Sequence, residues 1–340
     1  MNKTAGWING FLGVLISEES GHRIEELEYV GDTIIRFGLG AGDRSRWLEI
    51  CKCRSQNCHS GRHLFRLIEG EGVNITPSLG AIRSSLRRQA FGALSHDYVI
   101  APPEGWEIIE IGDGIRDKSA SLFLSRGDVH LTQVLFEMMA APLRLSAERR
   151  GEGSSRNAKG VTRVPRSVLV VSFRTPESRL LESIYGNSSL ERRWTALRKK
   201  IRWFSPGEAI VGEQVVWEIW DHIKRARRSG APIDRILFVD VESVARALPA
   251  VGKEDLFWLT LFQLLGVEAV TSFWGFDMER GRDNGRDLDI IRSQVDYVLI
   301  VDKKEARSVA SGGEVKEVLR LIAEKAPPPA SAVSGEEDQP

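Results

Sequence analysis

The feature that most constrains this chain is a series of short, nearly uninterrupted apolar segments beginning near residue 119. SASLFL (119–124), SVLVVSF (167–173), RILFVDV (235–241), VEAVTSF (267–273) and VDYVLIV (295–301) are of strand length and rich in β-branched residues. Between them lie LTQVLFEMM (131–139), PESRLLESIY (176–185), EQVVWEIWDHIKRARR (213–228) and EDLFWLTLFQLL (254–265), whose apolar residues recur at helical spacing. A strand with one wet face alternates apolar with polar, whereas a strand apolar at every position must be covered on both sides. Such strands alternating with helices predict an α/β fold, a mostly parallel sheet with helices on both faces.

The first 80 residues read differently. GVLIS, DTIIRFGL, SRWLEICKC, HLFRLI and GVNITP suggest one strand and then antiparallel hairpins, with hardly a helix among them. Residues 81–103, from the basic SSLRRQ to Ala101-Pro102-Pro103, read as a link to a main domain over 104–325. Within that domain the polar ERRGEGSSRNAKGVTR (148–163) reads as a flexible loop. From 326 onward APPPASAVSGEEDQP lacks apolar periodicity and is expected to be a disordered tail.

Charge and cysteine content remove several function classes. With 47 basic and 47 acidic residues the formal net charge is zero, so bulk attraction to nucleic acid or anionic membrane is no argument and only local patches remain. Three cysteines exclude a disulfide scaffold and suit a reducing cytosol, so a cytoplasmic location is expected. The segment 256–276 is long enough to span a bilayer, but Gln263 and Glu268 sit inside it and Gly266-Val267 reads as a helix stop before a strand. No membrane association is expected, and the first twenty residues lack a cleavable signal pattern.

The order and spacing of several segments resemble the KaiC family of RecA-like P-loop ATPases. SVLVVSFRTPESRLL resembles that family's second strand and following helix, and IDRILFVDVESVARALP its Walker B strand with Asp240 at the strand end. VEAVTSFWG and QVDYVLIVDK resemble its last two core strands. LEICKCRSQNCHSGRHLF resembles the hairpin that closes a domain of this type, with Ser55 where the family has Gly. The resemblance implies a RecA-like domain over most of 105–302, preceded by residues 1–80 as the β-rich closing part of a sister domain. A sheet edge and an apolar face would then be left open, which implies a homo- or hetero-oligomer with a KaiC- or RecA-like partner, or further sequence upstream.

The resemblance implies a site for ATP and Mg²⁺, yet the residues that would build it are largely replaced. A phosphate loop needs glycines whose backbone wraps the phosphates and a lysine that neutralises them. With Thr132 at the hydroxyl position, Ser125, His130 and Leu131 occupy the Gly, Gly and Lys positions, and Gly127 alone supplies a bare backbone. After the second strand, where the family has a Glu pair to polarise water, this chain has Arg174-Thr175, and an arginine cannot act as a general base at neutral pH. Asp240 keeps the Walker B position, although an aspartate at a parallel strand's carboxyl end also occurs without catalysis. Lys52 and Arg54 match the family's Lys-x-Arg hairpin, which implies an arginine-finger role in a neighbouring subunit's site; the alternative is a pair of solvated charges.

Two further groups call for a reading. Cys51, Cys53, Cys58, His59 and His63 form a C-x-C-x₄-C-H-x₃-H cluster dense enough for zinc, with Cys51 and Cys53 expected on one strand face. The spacing is not a paired knuckle, so reduced thiols on a hairpin remain the alternative. Basic stretches at 83–88, 149–166, 192–202 and 224–228 and the mixed-charge loop 275–287 could contact nucleic acid or simply be solvated; Trp217 and Trp220 fit core packing. The leading expectation is a nucleotide-site-degenerate regulatory or assembly subunit, a pseudo-ATPase. The alternatives are an active ATP-hydrolysing oligomer using Lys52 and Arg54 in trans, or a zinc- or nucleic-acid-binding regulator.

Overall fold

A computed structural model describes residues 29, 31–40, 45–54, 58, 61–70, 72–87, 98–100, 107–109, 114–125, 131–145, 165–185, 198–206, 212–247, 254–279, 281, 285–307 and 315–325. The expected strand GVLIS, the loop 148–163 and the tail from 326 lie outside the described residues.

The main body is a sheet in the order β11-β10-β12-β13-β8-β14-β15-β6. Its first six members are β11 (Ile201–Phe204), β10 (Val168–Val171), β12 (Arg235–Phe238), β13 (Thr271–Asp277), β8 (Ala120–Ser125) and β14 (Tyr297–Arg307), and all pair in parallel. β15 (Val315–Lys325) adds antiparallel to β14, and β6 (Glu107–Ile109) pairs parallel with β15. Leu122, Phe123 and Leu124 of β8 and all four residues of β10 are buried, as strands sealed on both faces require.

The two faces carry separate cores. On one, α2 (Leu131–Ala140) and α3 (Glu177–Tyr185) cover Phe123, Val168, Val170, Leu237 and Phe273. On the other, α4 (Gly212–Arg228), α5 (Val241–Ala247), α6 (Glu254–Glu268) and α7 (Gly285–Gln294) cover Leu122, Leu169, Ile236, Phe238 and Trp274. Trp274 stacks on Phe238 at 3.9 Å and Phe262 at 4.5 Å, each pair adding about 0.5–1.5 kcal/mol beyond burial. Gly275 is required where α2 meets β13: a Cβ there would sit 2.4 Å from Leu135 Cδ1 and 2.9 Å from the Val239 carbonyl.

Several boundaries differ from the sequence reading. The fourth apolar segment was expected as a strand over 267–273, but α6 runs to Glu268 and β13 begins at Thr271. Ala269 makes the turn between them in the left-handed region, at φ 52°, a conformation that Gly punctuation would have revealed and alanine conceals. The expected link at 81–103 includes most of α1 (Leu79–Arg87), whose Leu79, Ile82 and Leu86 are buried in the α4–α7 core. A small sheet of β7 (Ile115–Arg116), β5 (Tyr98–Ile100) and β9 (Leu143–Leu145) also has no counterpart in the sequence reading.

The N-terminal unit is a four-stranded antiparallel sheet of β1 (Thr33–Leu39), β2 (Arg46–Cys53), β3 (Arg62–Ile68) and β4 (Gly72–Thr76). Arg66 NH2 reaches Gln214 Oε1 of α4 at 2.5 Å, tying this sheet to the main body. Its other face is apolar and wet: Ile35, Phe37, Leu39, Leu67, Val73 and Ile75 are each 46–68% exposed. No helix among the described residues is long and apolar enough to cross a membrane.

Candidate functional site at the carboxyl edge of the sheet

In an open parallel sheet, ligands bind beyond the carboxyl ends of the strands, where adjacent strands send their following helices to opposite faces. Three neighbouring pairs meet this condition: β11, which leads to α4, beside β10, and the two pairs that hold the candidate residues. β10 leads to α3 on one face and its neighbour β12 to α5 and α6 on the other; β8 leads to α2 and its neighbour β13 to α7.

The β10/β12 crevice is filled by the protein itself. Asp240, two residues beyond the end of β12, is 5% exposed and faces the turn 172–175 that follows β10. Its Oδ1 accepts the amide of Phe173 at 2.7 Å, and its Oδ2 accepts those of Arg174 at 2.7 Å and Thr175 at 3.0 Å. The hydroxyls of Ser172 and Thr175 stand 3.2 and 3.4 Å from Oδ2. Three consecutive amides form a concavity that prefers an anion, and the anion held in it is Asp240. A Walker B aspartate must present oxygen to a metal's water shell, whereas both oxygens of Asp240 are engaged in positioning this turn. Arg174 and Thr175 contribute their amides to that network.

The β8/β13 crevice is where the sequence reading expected a phosphate loop. Gly127 and His130 lie outside the described residues. Ser125 ends β8 with 1% exposure and pairs with Asp277 and Val301. Leu131, at the lysine position, is 9% exposed and packs toward Gly275 and the α2-side core. Thr132 is half-buried in the first turn of α2. A leucine drawn into the core offers no charge to a phosphate at this strand end.

A residue that sequence reasoning passed over stands beside these two crevices. Glu242, in the first turn of α5, is buried, and its Oε2 faces the Asp277 amide at 3.4 Å. Burial, reinforced by the nearby Asp240 and Asp277 carboxylates and opposed by the backbone amides of Glu242 and Asp277, pushes its carboxyl up to about 7. A glutamate two residues beyond the strand's aspartate was the only signal available, and it reads as an ordinary first-turn acid.

The hairpin candidates are brought together in part. Lys52 Nζ and Arg54 NH2 both donate to the Tyr29 carbonyl, at 3.2 and 2.9 Å, and Arg54 pairs with Asp32 at 3.6 Å. The two cations therefore converge on one point of an exposed hairpin. The expectation that Cys51 and Cys53 share a strand face is complicated by a register shift opposite Ile34 and Ile35, which makes Cys51 the extra residue of a β-bulge. Cys53 Sγ faces Thr33 Oγ1, while Cys51 and Cys58 are exposed. His63 is buried, its Nδ1 accepting the Ser78 amide at 3.0 Å, so that nitrogen is committed to the start of α1. His59 lies outside the described residues. Among the described residues no group of three or more His, Cys, Asp or Glu converges to hold a metal ion.

Arg235 at the amino end of β12 is a buried cation that the sequence reading placed merely within a strand. It is 1% exposed, and its NH1 donates to the carbonyls of Met138, Met139 and Ala141, at 3.2, 2.6 and 2.6 Å, closing the carboxyl end of α2. Burial pulls its guanidinium down to about 10.

Compared with known proteins, the chain matches no protein-family model, and no curated protein matches it.

Proposed function

We propose that this chain is a non-hydrolysing member of the RecA-like class, acting as a regulatory or assembly subunit rather than through ATP turnover. The observation that carries this reading is the engagement of both Asp240 oxygens by the turn 172–175. At the strand end where metal-assisted phosphoryl transfer needs a carboxylate turned outward, the carboxylate is spent on the fold. The burial of Leu131 at the lysine position points the same way. The wet apolar face of the β1–β4 sheet supports an assembly role, because an exposed apolar patch of this kind marks an interaction surface.

Calorimetric titration of the chain with ATP and Mg²⁺ at two temperatures tests the proposal. No heat at either temperature is expected. Binding at micromolar affinity overturns it and moves the alternative, an active ATPase, to the front. That alternative draws on the convergence of Lys52 and Arg54 on one point, the geometry a pair acting in trans would need.

A further inference from the structure

We propose that the outer corner of the parallel sheet, at the amino ends of β10 and β11, is a phosphate-backbone binding surface for nucleic acid. The surface lies at the opposite end of the strands from Asp240, and the proposal is independent of the assembly reading.

Basic residues far apart in sequence meet here. Arg166 lies two residues before β10, and the 3-10 turn Arg198–Lys200 leads into β11, which carries Arg202. The last turn of α4 adds Arg225, Arg227 and Arg228. Contacts across these segments bring them together: Ser167 Oγ donates to the Lys200 carbonyl at 3.2 Å, Lys200 Nζ to the Pro165 carbonyl at 3.4 Å, and Arg202 NH2 to Ser229 Oγ at 3.5 Å. The Phe204 and His222 rings pack at 5.5 Å between β11 and α4. His222 of α4 stands among these groups, its imidazole pulled down first by burial and then by Arg225, with Arg202 adding to it and Asp221 and Glu218 opposing.

Nine cations, Lys224 of α4 among them, stand against four carboxylates in this corner, a net of five positive charges on a chain whose total is zero; of the four, Glu218 accepts the Gln214 side-chain amide at 2.7 Å. The carboxylates are already engaged: Asp221 pairs with Arg225, Glu268 with Arg227, and Asp234 accepts the Arg166 amide. Arg198, Lys199 and Arg228 are exposed, and among the described residues no carboxylate pairs with them. Arginines at the end of α4 offset that helix's negative pole, but the helix end accounts for neither Arg166 nor the 198–202 stretch. Guanidinium predominates, the group suited to bidentate phosphate contact. A lipid surface fits less well, because binding to it draws on buried apolar side chains beside the charges. The strongly exposed large apolar residues of the described chain all belong to Tyr29 and the β1–β4 sheet, none to this corner.

The test is fluorescence anisotropy of short labelled single- and double-stranded oligonucleotides of mixed sequence with the full chain. Binding indifferent to sequence is expected, and five phosphate contacts predict a loss of roughly a hundred- to five-hundredfold in affinity between about 50 and 200 mM salt. The triple variant Arg198→Glu, Lys199→Glu, Arg228→Glu changes only exposed side chains, and its fold is checked by circular dichroism. It should weaken binding at least about tenfold and flatten the salt dependence, whereas Arg46→Glu on the β1–β4 sheet should leave both unchanged. Absence of oligonucleotide binding at the lower salt, or equal binding by the triple variant, overturns the proposal. So does preferential binding of poly-glutamate or of phosphatidylserine-containing vesicles, which assigns the corner to a protein or membrane partner.

Discussion

Replacing Asp240 by asparagine separates an anchoring carboxylate from a metal-holding one, because the two roles predict stability changes of opposite sign. A carboxylate kept for a metal stands near other acids, here Glu242 and Asp277, and neutralising it in the metal-free protein relieves repulsion and leaves stability equal or higher. In this structure Asp240 instead receives three backbone amides at 2.7–3.0 Å in a site 5% exposed. Asparagine keeps one acceptor oxygen and turns an NH₂ group toward amides that also donate, so at least one of the three loses its partner. At about 1–3 kcal/mol for each stranded donor, and more for one that faced a charge, Asp240→Asn should cost about 2–4 kcal/mol and Asp240→Ala about 3–5 kcal/mol. With a urea m-value of about 3 kcal/mol/M for a chain of this size, the asparagine variant's midpoint should fall by about 1 M. Tryptophan fluorescence reports the transition, since Trp258 and Trp274 are fully buried in the adjoining core. A midpoint for Asp240→Asn equal to or above that of the parent chain would refute the anchoring argument.

The other predictions address single groups. Glu242 is held at about 7 in the folded protein, above its ordinary 4.5, so the stability it contributes is fully present below about pH 4.5 and is lost as pH rises through about 7. Glu242→Gln should therefore be more stable than the parent at pH 8, by up to about 3 kcal/mol, with the difference vanishing near pH 4; a difference independent of pH in chemical denaturation would count against it. Arg235→Ala strands the carbonyls that close α2 and leaves a void, and should cost about 3–5 kcal/mol in thermal or urea unfolding, with Arg235→Lys recovering part of it. If the convergent hairpin pair serves a neighbour's site, Arg54→Ala should lower ATP hydrolysis by a mixed assembly with a RecA-like partner, and unchanged turnover would end that alternative.

Much of the α/β body was legible because the signals behind it are local. Unbroken apolar runs specify strands covered twice, and 3.6-residue spacing specifies the covering helices, so β8, β10, β12, α2, α3, α4 and the hairpins β1–β4 could all be located from neighbouring residues. Boundaries slipped where the deciding feature was a single backbone conformation, as at Ala269, or an amphipathic segment read as a link, as at α1. That the turn before α2 offers no lysine to a phosphate was also visible, since it is a matter of which residue stands at Leu131.

What the sequence could not determine is which groups each polar side chain meets, because partner choice depends on crossovers that join distant segments. Asp240 and the 173–175 amides are more than sixty residues apart, and only the parallel pairing of β10 with β12 sets the carboxylate into that turn. His63 was read as one of five candidate zinc ligands, and only the fold shows that its Nδ1 accepts the Ser78 amide. Nothing along the chain joined the basic stretches at 149–166, 192–202 and 224–228, but β10, β11 and α4 bring their described ends to one corner. The sequence by itself determined the layers of this protein and which residues stand at the turn between β8 and α2. Only the tertiary structure decided which charges are spent on the fold and which stay exposed, because a charge's environment is set by the segments packed around it rather than by its neighbours along the chain.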